Sequence, residues 1–509
     1  GRMNHGLFTL GTAALVTLVA GTDAEPIELE PTWSVDYSGT DVRPEDGRQV
    51  LSFEDGSCIV ALEESTFTDS ENVLIIRYAP DGTQLWLRRF NFASGVSDTF
   101  GDLVYAEQGG CWLSMRVRSS EEVRIRVVRL NGDGDVVADS DFAVDPGPLF
   151  DASVVPVIEA SGPGVVVGFG ASGGYHARKL DADASTVWTQ TWSSGLPDGD
   201  NVTDIEIGPD GRIYLAGWTN QLFGPYATVA LSPEGAFEWA HLLDGPIGSV
   251  FTDPELRVHP DEGVVVAASP ETVCGVFEFR TWRITDEGLL MWDRRYDGTD
   301  CGGARPFGLA VAPDGRIAVT GTPPFPLEQG FMTVLYDADG EVLWEAHTPN
   351  VQGFEDTPYD IGFDPWGGVV LTGMSQESAS LDARGVLRYD SLGELTWFWT
   401  PGESVNAGRG LSVSINEAGR IVVTGSGFEG SGVGGLASTQ AFDPPEARVE
   451  CRADADGSGT VDLADLNAVL GVFGQTVPIG SGGDIDASGQ VDLADLNAVL
   501  GAFGMTCER

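Results

Sequence analysis

Between residues 30 and 440 the chain alternates apolar and polar positions in short runs, each broken by a glycine turn. Asp204-Ile-Glu-Ile-Gly208 leads to Asp210-Gly211 and then to Arg212-Ile-Tyr-Leu-Ala-Gly217. Ala227-Thr-Val-Ala-Leu231 and Phe237-Glu-Trp-Ala240 follow across a second turn. A period of two marks β-strands, and paired runs across Asp-Gly or Glu-Gly mark hairpins. Each unit therefore reads as a four-stranded antiparallel meander. No sustained helical period appears over this span.

The unit repeats with a period near 52, marked by Trp33, Trp86, Trp188, Trp239, Trp292, Trp344 and Trp397. The one double step places the missing member at Ala138. A glycine stands four residues ahead of the Trp position at Gly82, Gly134, Gly235, Gly288, Gly340 and Gly393. An earlier turn recurs at Gly56, Gly109, Gly211, Gly315, Gly367 and Gly419, with degenerate versions near Gly164 and Gly263. Four strands per unit at this period predict an all-β fold, a β-propeller over 31–442. Eight blades are expected, or seven if one degenerate unit is incomplete. The last unit, from about Gly410 to Phe442, has three strands; Thr32–Tyr37 supplies the fourth and closes the ring without an open edge. The tryptophans are expected to fill gaps between neighbouring blades rather than to hold a cofactor.

The pattern changes after residue 450. Asp454-Ala-Asp456-Gly-Ser458-Gly-Thr460-Val-Asp462-Leu-Ala-Asp465 runs into Leu466-Asn-Ala-Val-Leu-Gly-Val-Phe473-Gly474. Thirty residues on, Asp484-Ile-Asp486-Ala-Ser488-Gly-Gln490-Val-Asp492-Leu-Ala-Asp495 runs into a near-identical helix ending at Phe503-Gly504. Side-chain oxygens at loop positions 1, 3, 5, 9 and 12, with glycine at 6, make the donor set of a calcium loop. Position 7 (Thr460, Gln490) offers its backbone carbonyl. Leu466, Val469, Leu470 and Phe473, with Leu496, Val499, Leu500 and Phe503, are expected to bury one helix face against the other. Two calcium ions follow from two copies. This small α-helical, duplicated EF-hand-like stretch, 451–507, resembles the type I dockerins. The resemblance implies the ligand sets Asp454, Asp456, Ser458, Thr460, Asp462, Asp465 and Asp484, Asp486, Ser488, Gln490, Asp492, Asp495. It also implies a protein partner such as a cohesin. The residues that many dockerins use to read a cohesin are here Leu463-Ala464, Leu470-Gly471 and their copies, which leaves open a different cell-surface partner.

The Gly-x-x-x-Trp ending is similar to the docking motif of quinoprotein dehydrogenases, and the wider unit to secreted bacterial propeller repeats of no assigned activity. The adjacent cysteine pair of the quinoproteins is absent, and the sialidase Asp-box has its glycine three residues before Trp rather than four. No catalytic constellation stands out: the five histidines are scattered, and no glycine-rich stretch has the lysine of a phosphate loop.

A formal net charge of −49 excludes nucleic acid and anionic membranes as partners. It suits solubility in salt or loose binding of divalent cations. Residues 1–24 read as a secretory signal, with a cut expected after Ala24, and no later run is long enough to span a membrane. A secreted or cell-surface monomer is expected. Export fits six cysteines, and the pairs considered are Cys451 with Cys507, Cys58 with Cys111, and Cys274 with Cys301. Residues 443–450 form a short Pro-bearing linker. The leading functional reading is a non-catalytic binding or display protein anchored through its C-terminal module, with a polysaccharide or protein ligand on the propeller. The alternatives are a carbohydrate-active hydrolase or lyase and, third, a quinoprotein-like oxidoreductase.

Overall fold

A computed structural model describes residues 26–37, 45–65, 71–90, 97–145, 154–196, 200–219, 225–243, 253–271, 277–296, 303–323, 330–349, 356–378, 381–400, 408–428 and 435–444. In the tail it describes 453, 455, 461–477, 483–485, 490–501 and 503. The expected signal, residues 445–450 of the linker, and Cys274, Cys301, Cys451 and Cys507 lie outside the described residues.

Two strands, β1 (Ile27–Glu28) and β2 (Trp33–Tyr37), precede a run of four-stranded sheets. The first is β3 (Glu45–Ser52), β4 (Cys58–Ser65), β5 (Glu71–Tyr78) and β6 (Gln84–Phe90). The second is β7 (Ser97–Ala106), β8 (Gly110–Arg118), β9 (Val123–Leu130) and β10 (Val136–Val144). The third is β11 (Val157–Ser161), β12 (Gly164–Ala171), β13 (Gly174–Leu180) and β14 (Thr186–Trp192). The fourth is β15 (Asp200–Ile207), β16 (Ile213–Thr219), β17 (Tyr226–Leu231) and β18 (Phe237–Leu242). The fifth is β19 (Glu255–Val258), β20 (Val264–Ala268), β21 (Arg280–Ile284) and β22 (Leu290–Arg295). The sixth is β23 (Arg305–Val311), β24 (Ile317–Thr322), β25 (Gly330–Tyr336) and β26 (Val342–Pro349). The seventh is β27 (Thr357–Phe363), β28 (Val369–Ser378), β29 (Leu381–Tyr389) and β30 (Leu395–Trp399). The last is β31 (Gly408–Ile415), β32 (Ile421–Phe428) and β33 (Gly435–Phe442), completed by β2. Both degenerate units are thus full sheets, and Trp33 of β2 pairs with Ala441 of β33 as the N-terminal pattern predicts. A single bridge, Asp46 to Ser426, links the last sheet to the first.

The first strand of every sheet packs against the first strand of the next, and β31 packs against β3. The inner strands therefore close a ring, and apolar clusters fill the wedges between sheets. Tyr214, Ala216, Leu256, Val264, Val266 and Trp282 form one such wedge between the fourth and fifth.

The repeated tryptophans dock between sheets, as expected. Trp292 donates through Nε1 to the Ala338 carbonyl of the next sheet at 3.0 Å, and its ring covers Gly340. A Cβ on Gly340 would meet that ring at 2.7 Å, and the residue has φ +76°. Glycine is needed there twice over, for the left-handed turn and for the ring above it. Trp33, Trp86, Trp239 and Trp344 repeat the arrangement over Gly82, Gly134, Gly288 and Gly393. Where the ring is missing, at Ala138, the facing turn of the next sheet carries Ala184, with φ 59°. Losing the indole leaves room for a Cβ. Third-strand cations reinforce the same joint: Arg77 reaches the Gly132 carbonyl, Arg129 that of Ala182, and Arg283 that of Ala338.

Two findings depart from expectation. β1 adds in parallel to the outer edge of β30, pairing Ile27 with Trp397, so the N-terminal segment touches two sheets. Cys58 and Cys111 are buried free thiols, not a disulfide. They occupy equivalent second-strand positions, where a small apolar side chain packs in the wedge, and burial pushes both thiols up to about 12. Asp443, the first linker residue, is clamped by Arg420 at 2.7 and 2.8 Å and by Thr32 at 3.0 Å.

Candidate functional site

The tail carries two helices of identical sequence, α1 (Leu463–Gly471) and α2 (Leu493–Gly501), packed against each other. Each opens on the same reciprocal cap. Asp462 accepts from the Ala464 N–H while its own N–H donates to Asp465 Oδ2, both at 2.7 Å. Asp492, Ala494 and Asp495 repeat these bonds at the same distances. Asp465 and Asp495 are fully buried, and Asp484 nearly so. Asp495 also accepts from the Ile485 N–H at 2.6 Å, tying position 12 of the second loop to its position 2. Gln490 sits at an isolated antiparallel bridge to Thr476. Asp454, Asp456, Ser458, Thr460, Asp486 and Ser488 lie outside the described residues.

No Lys, Arg or His occurs between Ala453 and Glu508. The donor set is all oxygen, which suits a hard cation such as calcium. The helix packing differs from the expected face. Val469 and Val499 are buried with Val461, Val491, Ala453 and Ile485, whereas Leu470, Phe473, Leu500 and Phe503 are exposed. The loop valines at position 8 fill the interior that the outer half of each helix was expected to fill.

A second cluster, absent from the sequence reading, lies on the inner strands. An inner strand leaves one edge of N–H groups without a sheet partner. Side chains from the preceding strand satisfy them: Asp102 accepts from Ile158 N at 3.0 Å, Asp204 from Leu256 N at 2.7 Å and Asp360 from Val413 N at 2.8 Å. Gln49 bonds both backbone groups of Leu103 in the same way. These four stitch the ring together. Each stands seven residues before its turn glycine, a spacing visible in the sequence.

Glu159, Glu206, Glu255 and Arg257 add charge around this seam. Arg257 lies 3.0 Å from Asp204, 3.3 Å from Glu255 and 3.6 Å from Glu206. Glu206 and Glu255 keep 24% and 34% of their side-chain surface exposed. Burial pushes Glu206 and Glu255 up to about 8; Arg257 works against that rise, and the neighbouring carboxylates add to it. Burial and Asp102 raise Glu159 to about 7. Burial opposes the charge on Arg257, but Asp204, Glu255 and Glu206 more than offset it and raise its pKa. None of the described residues forms a cluster with metal-ligand geometry.

This ring makes stability depend on pH with a definite sign. Glu206 binds its proton up to about pH 8 when folded, against an ordinary value of 4.5. Between those values the unfolded chain has released a proton that the folded chain keeps, so stability is full below pH 4.5 and lost as pH rises through 8. The urea midpoint is expected to fall as the pH rises from 4.5 to about 8, and Glu206→Gln to flatten that fall. A Glu206→Gln variant with the wild-type pH profile would refute this assignment.

A cavity of about 590 Å³ opens on the turn face, where β23, β27 and β31 end. Ala312, Pro313, Phe363, Pro365 and Ile415 form its apolar walls, with Asp314, Arg316, Asp364, Asn416 and Glu417 among the remaining lining. Its volume lies in the range of small-ligand sites.

No family model and no curated protein matches the chain. Among solved structures it is similar to the β-propeller domain of the Trilobed protease from Pyrococcus furiosus, at 10% identity and TM-score 0.41, over 67% of this chain and 95% of that one. It is similar to a mutant NanB sialidase from Streptococcus pneumoniae at 9% identity and TM-score 0.35, over 82% and 71% of the two chains. A gluconolactonase from Xanthomonas campestris matches at 16% identity and TM-score 0.29, over 67% and 96%. These overlaps are too loose to carry chemistry. The all-β fold stands on the strand order and the closed series of inner-strand contacts.

Proposed function

We propose that the chain is an exported eight-bladed propeller, held to a cell-surface or extracellular partner by a duplicated, dockerin-like module that folds around two calcium ions. The propeller acts as a non-catalytic binding platform, and the tail attaches it. The observation that carries this is the repeated reciprocal cap that brings buried Asp465 and Asp495, the twelfth residues of the two acidic loops, to the same place at each helix start. Two calcium ions would take these acids as ligands and fix each loop over the apolar interior. Residues 1–24 support export, and the short linker, anchored at Asp443 by Arg420, supports close spacing of the two parts. Calorimetric titration of the whole chain should show two calcium ions bound, and chelator should strip the tail of its helical NMR signals while the β signal persists. A tail equally ordered in chelator, or an ion count of zero, would sink the anchoring role.

The inner carboxylates favour a second reading, a carbohydrate-active hydrolase. A Glu206 or Glu255 held protonated by burial, with Asp204 nearby, offers the general acid and second carboxyl group that glycoside hydrolysis uses. Release of reducing ends from polysaccharides, lost in Glu206→Gln, would establish it.

A further inference from the structure

The turn-face cavity has walls that its own bonds hold apart. Asp364 is locked by Arg388 at 2.6 Å and by the N–H groups of Trp366 and Gly368 at 2.8 Å. Arg316 is equally committed: its Nε donates to Asp314 at 2.7 Å, its Nη1 to the Gly367 carbonyl at 3.1 Å, and its guanidinium lies over Phe363. Asn416 is fixed by the Arg420 N–H and the Phe53 carbonyl. Walls held this way do not need to be ordered by a ligand, which lowers the cost of binding.

The charges left over sit at the rim. Glu417 is exposed, and among the described residues neither it nor Glu54 pairs with an Arg or Lys. Glu54, from the first sheet, accepts from the Glu417 N–H at 3.2 Å, which sets its carboxylate against the backbone of this rim residue. The cavity therefore offers an apolar interior of proline, phenylalanine and isoleucine beneath uncompensated negative charge, in a chain of net charge −49. An anion would be repelled and would find the one lining guanidinium already engaged.

We propose that this cavity binds a cation carried on an apolar stem, such as the side chain of an arginine or lysine in a peptide, or a free polyamine. The stem lies against Phe363, Ile415 and the two prolines, while the head group meets Glu417 and Glu54. The proposal deepens the reading of the propeller as a binding platform by naming a ligand class, and it does not depend on the calcium module.

The test is calorimetry on the full chain in saturating calcium and 0.15 M salt, which screens diffuse attraction to the acidic surface. The probes are spermidine and the capped tripeptide Ala-Arg-Ala, with Ala-citrulline-Ala as the neutral match. One saturable site is expected for at least one cationic probe. Tripeptide binding alone points to a peptide ligand, and spermidine binding alone to a polyamine; either supports the site. Glu417→Gln and Glu54→Gln should each weaken binding about tenfold, the usual weight of a charge-assisted contact. Glu287→Gln, an exposed site on the fifth sheet with the same change in net charge, should leave affinity unchanged. Absence of saturable binding, a citrulline peptide that binds as well, or an equal loss in Glu287→Gln would overturn the proposal. A chain that takes up two calcium ions but ignores both probes refutes this site alone, and one that binds a probe without calcium uptake refutes the anchoring alone.

Discussion

Replacing Asp465 and Asp495 together with Asn will abolish calcium uptake and leave 451–507 open to proteases, while the propeller unfolds at its wild-type temperature. Asn keeps an oxygen that can accept from Asp462 N and Asp492 N, so the helix caps can persist. What it removes is the charge at the twelfth loop position, which calcium loops use as a principal ligand. Affinity should drop by about 100-fold or more for either single change, read by titration against a fluorescent chelator. If the acids served only as caps, both single variants would bind two ions as before. That result would refute the assignment of Asp465 and Asp495 as calcium ligands.

Trp292→Ala will cost about 3–5 kcal/mol of propeller stability, the range for emptying a large buried aromatic. The ring is 7% exposed and fills the joint between the fifth and sixth sheets. Gly340→Ala will also destabilise strongly, because its new Cβ would meet the ring at 2.7 Å. The two losses will not add. In the Trp292→Ala background the clash is gone, and Gly340→Ala should cost only the left-handed strain, about 1–2 kcal/mol. The chain already contains this double change as Ala138 with Ala184. Urea melts of the four proteins of the cycle give the coupling directly, and strict additivity would refute the account.

The period of the tryptophans and turn glycines made the sheets legible, because each joint imposes the same two residues at the same spacing. Closure by Thr32–Tyr37 was legible for a similar reason: a three-stranded last unit leaves an edge that another strand must cover. The parallel strand Ile27–Glu28 was not, since two residues carry no period. The inner carboxylates were hidden among 77 acidic residues, although Asp102, Asp204 and Asp360 share a fixed offset from their turn glycines. Their partners belong to the next sheet, and only the ring brings them together. In the tail the loop pattern named the acids that the fold buries, Asp465, Asp484 and Asp495. It assigned the helix faces wrongly because Val461 and Val491, which belong to the loops, take the central places.

The pairing of Trp33–Tyr37 with Gly435–Phe442 has a consequence for how the protein is made. The earliest segment of the ring to leave a ribosome must wait for nearly the last, on the order of 20–80 s at ordinary rates of synthesis. Through that interval its backbone is an unclaimed template, exposed to every strand of the nascent chain that follows.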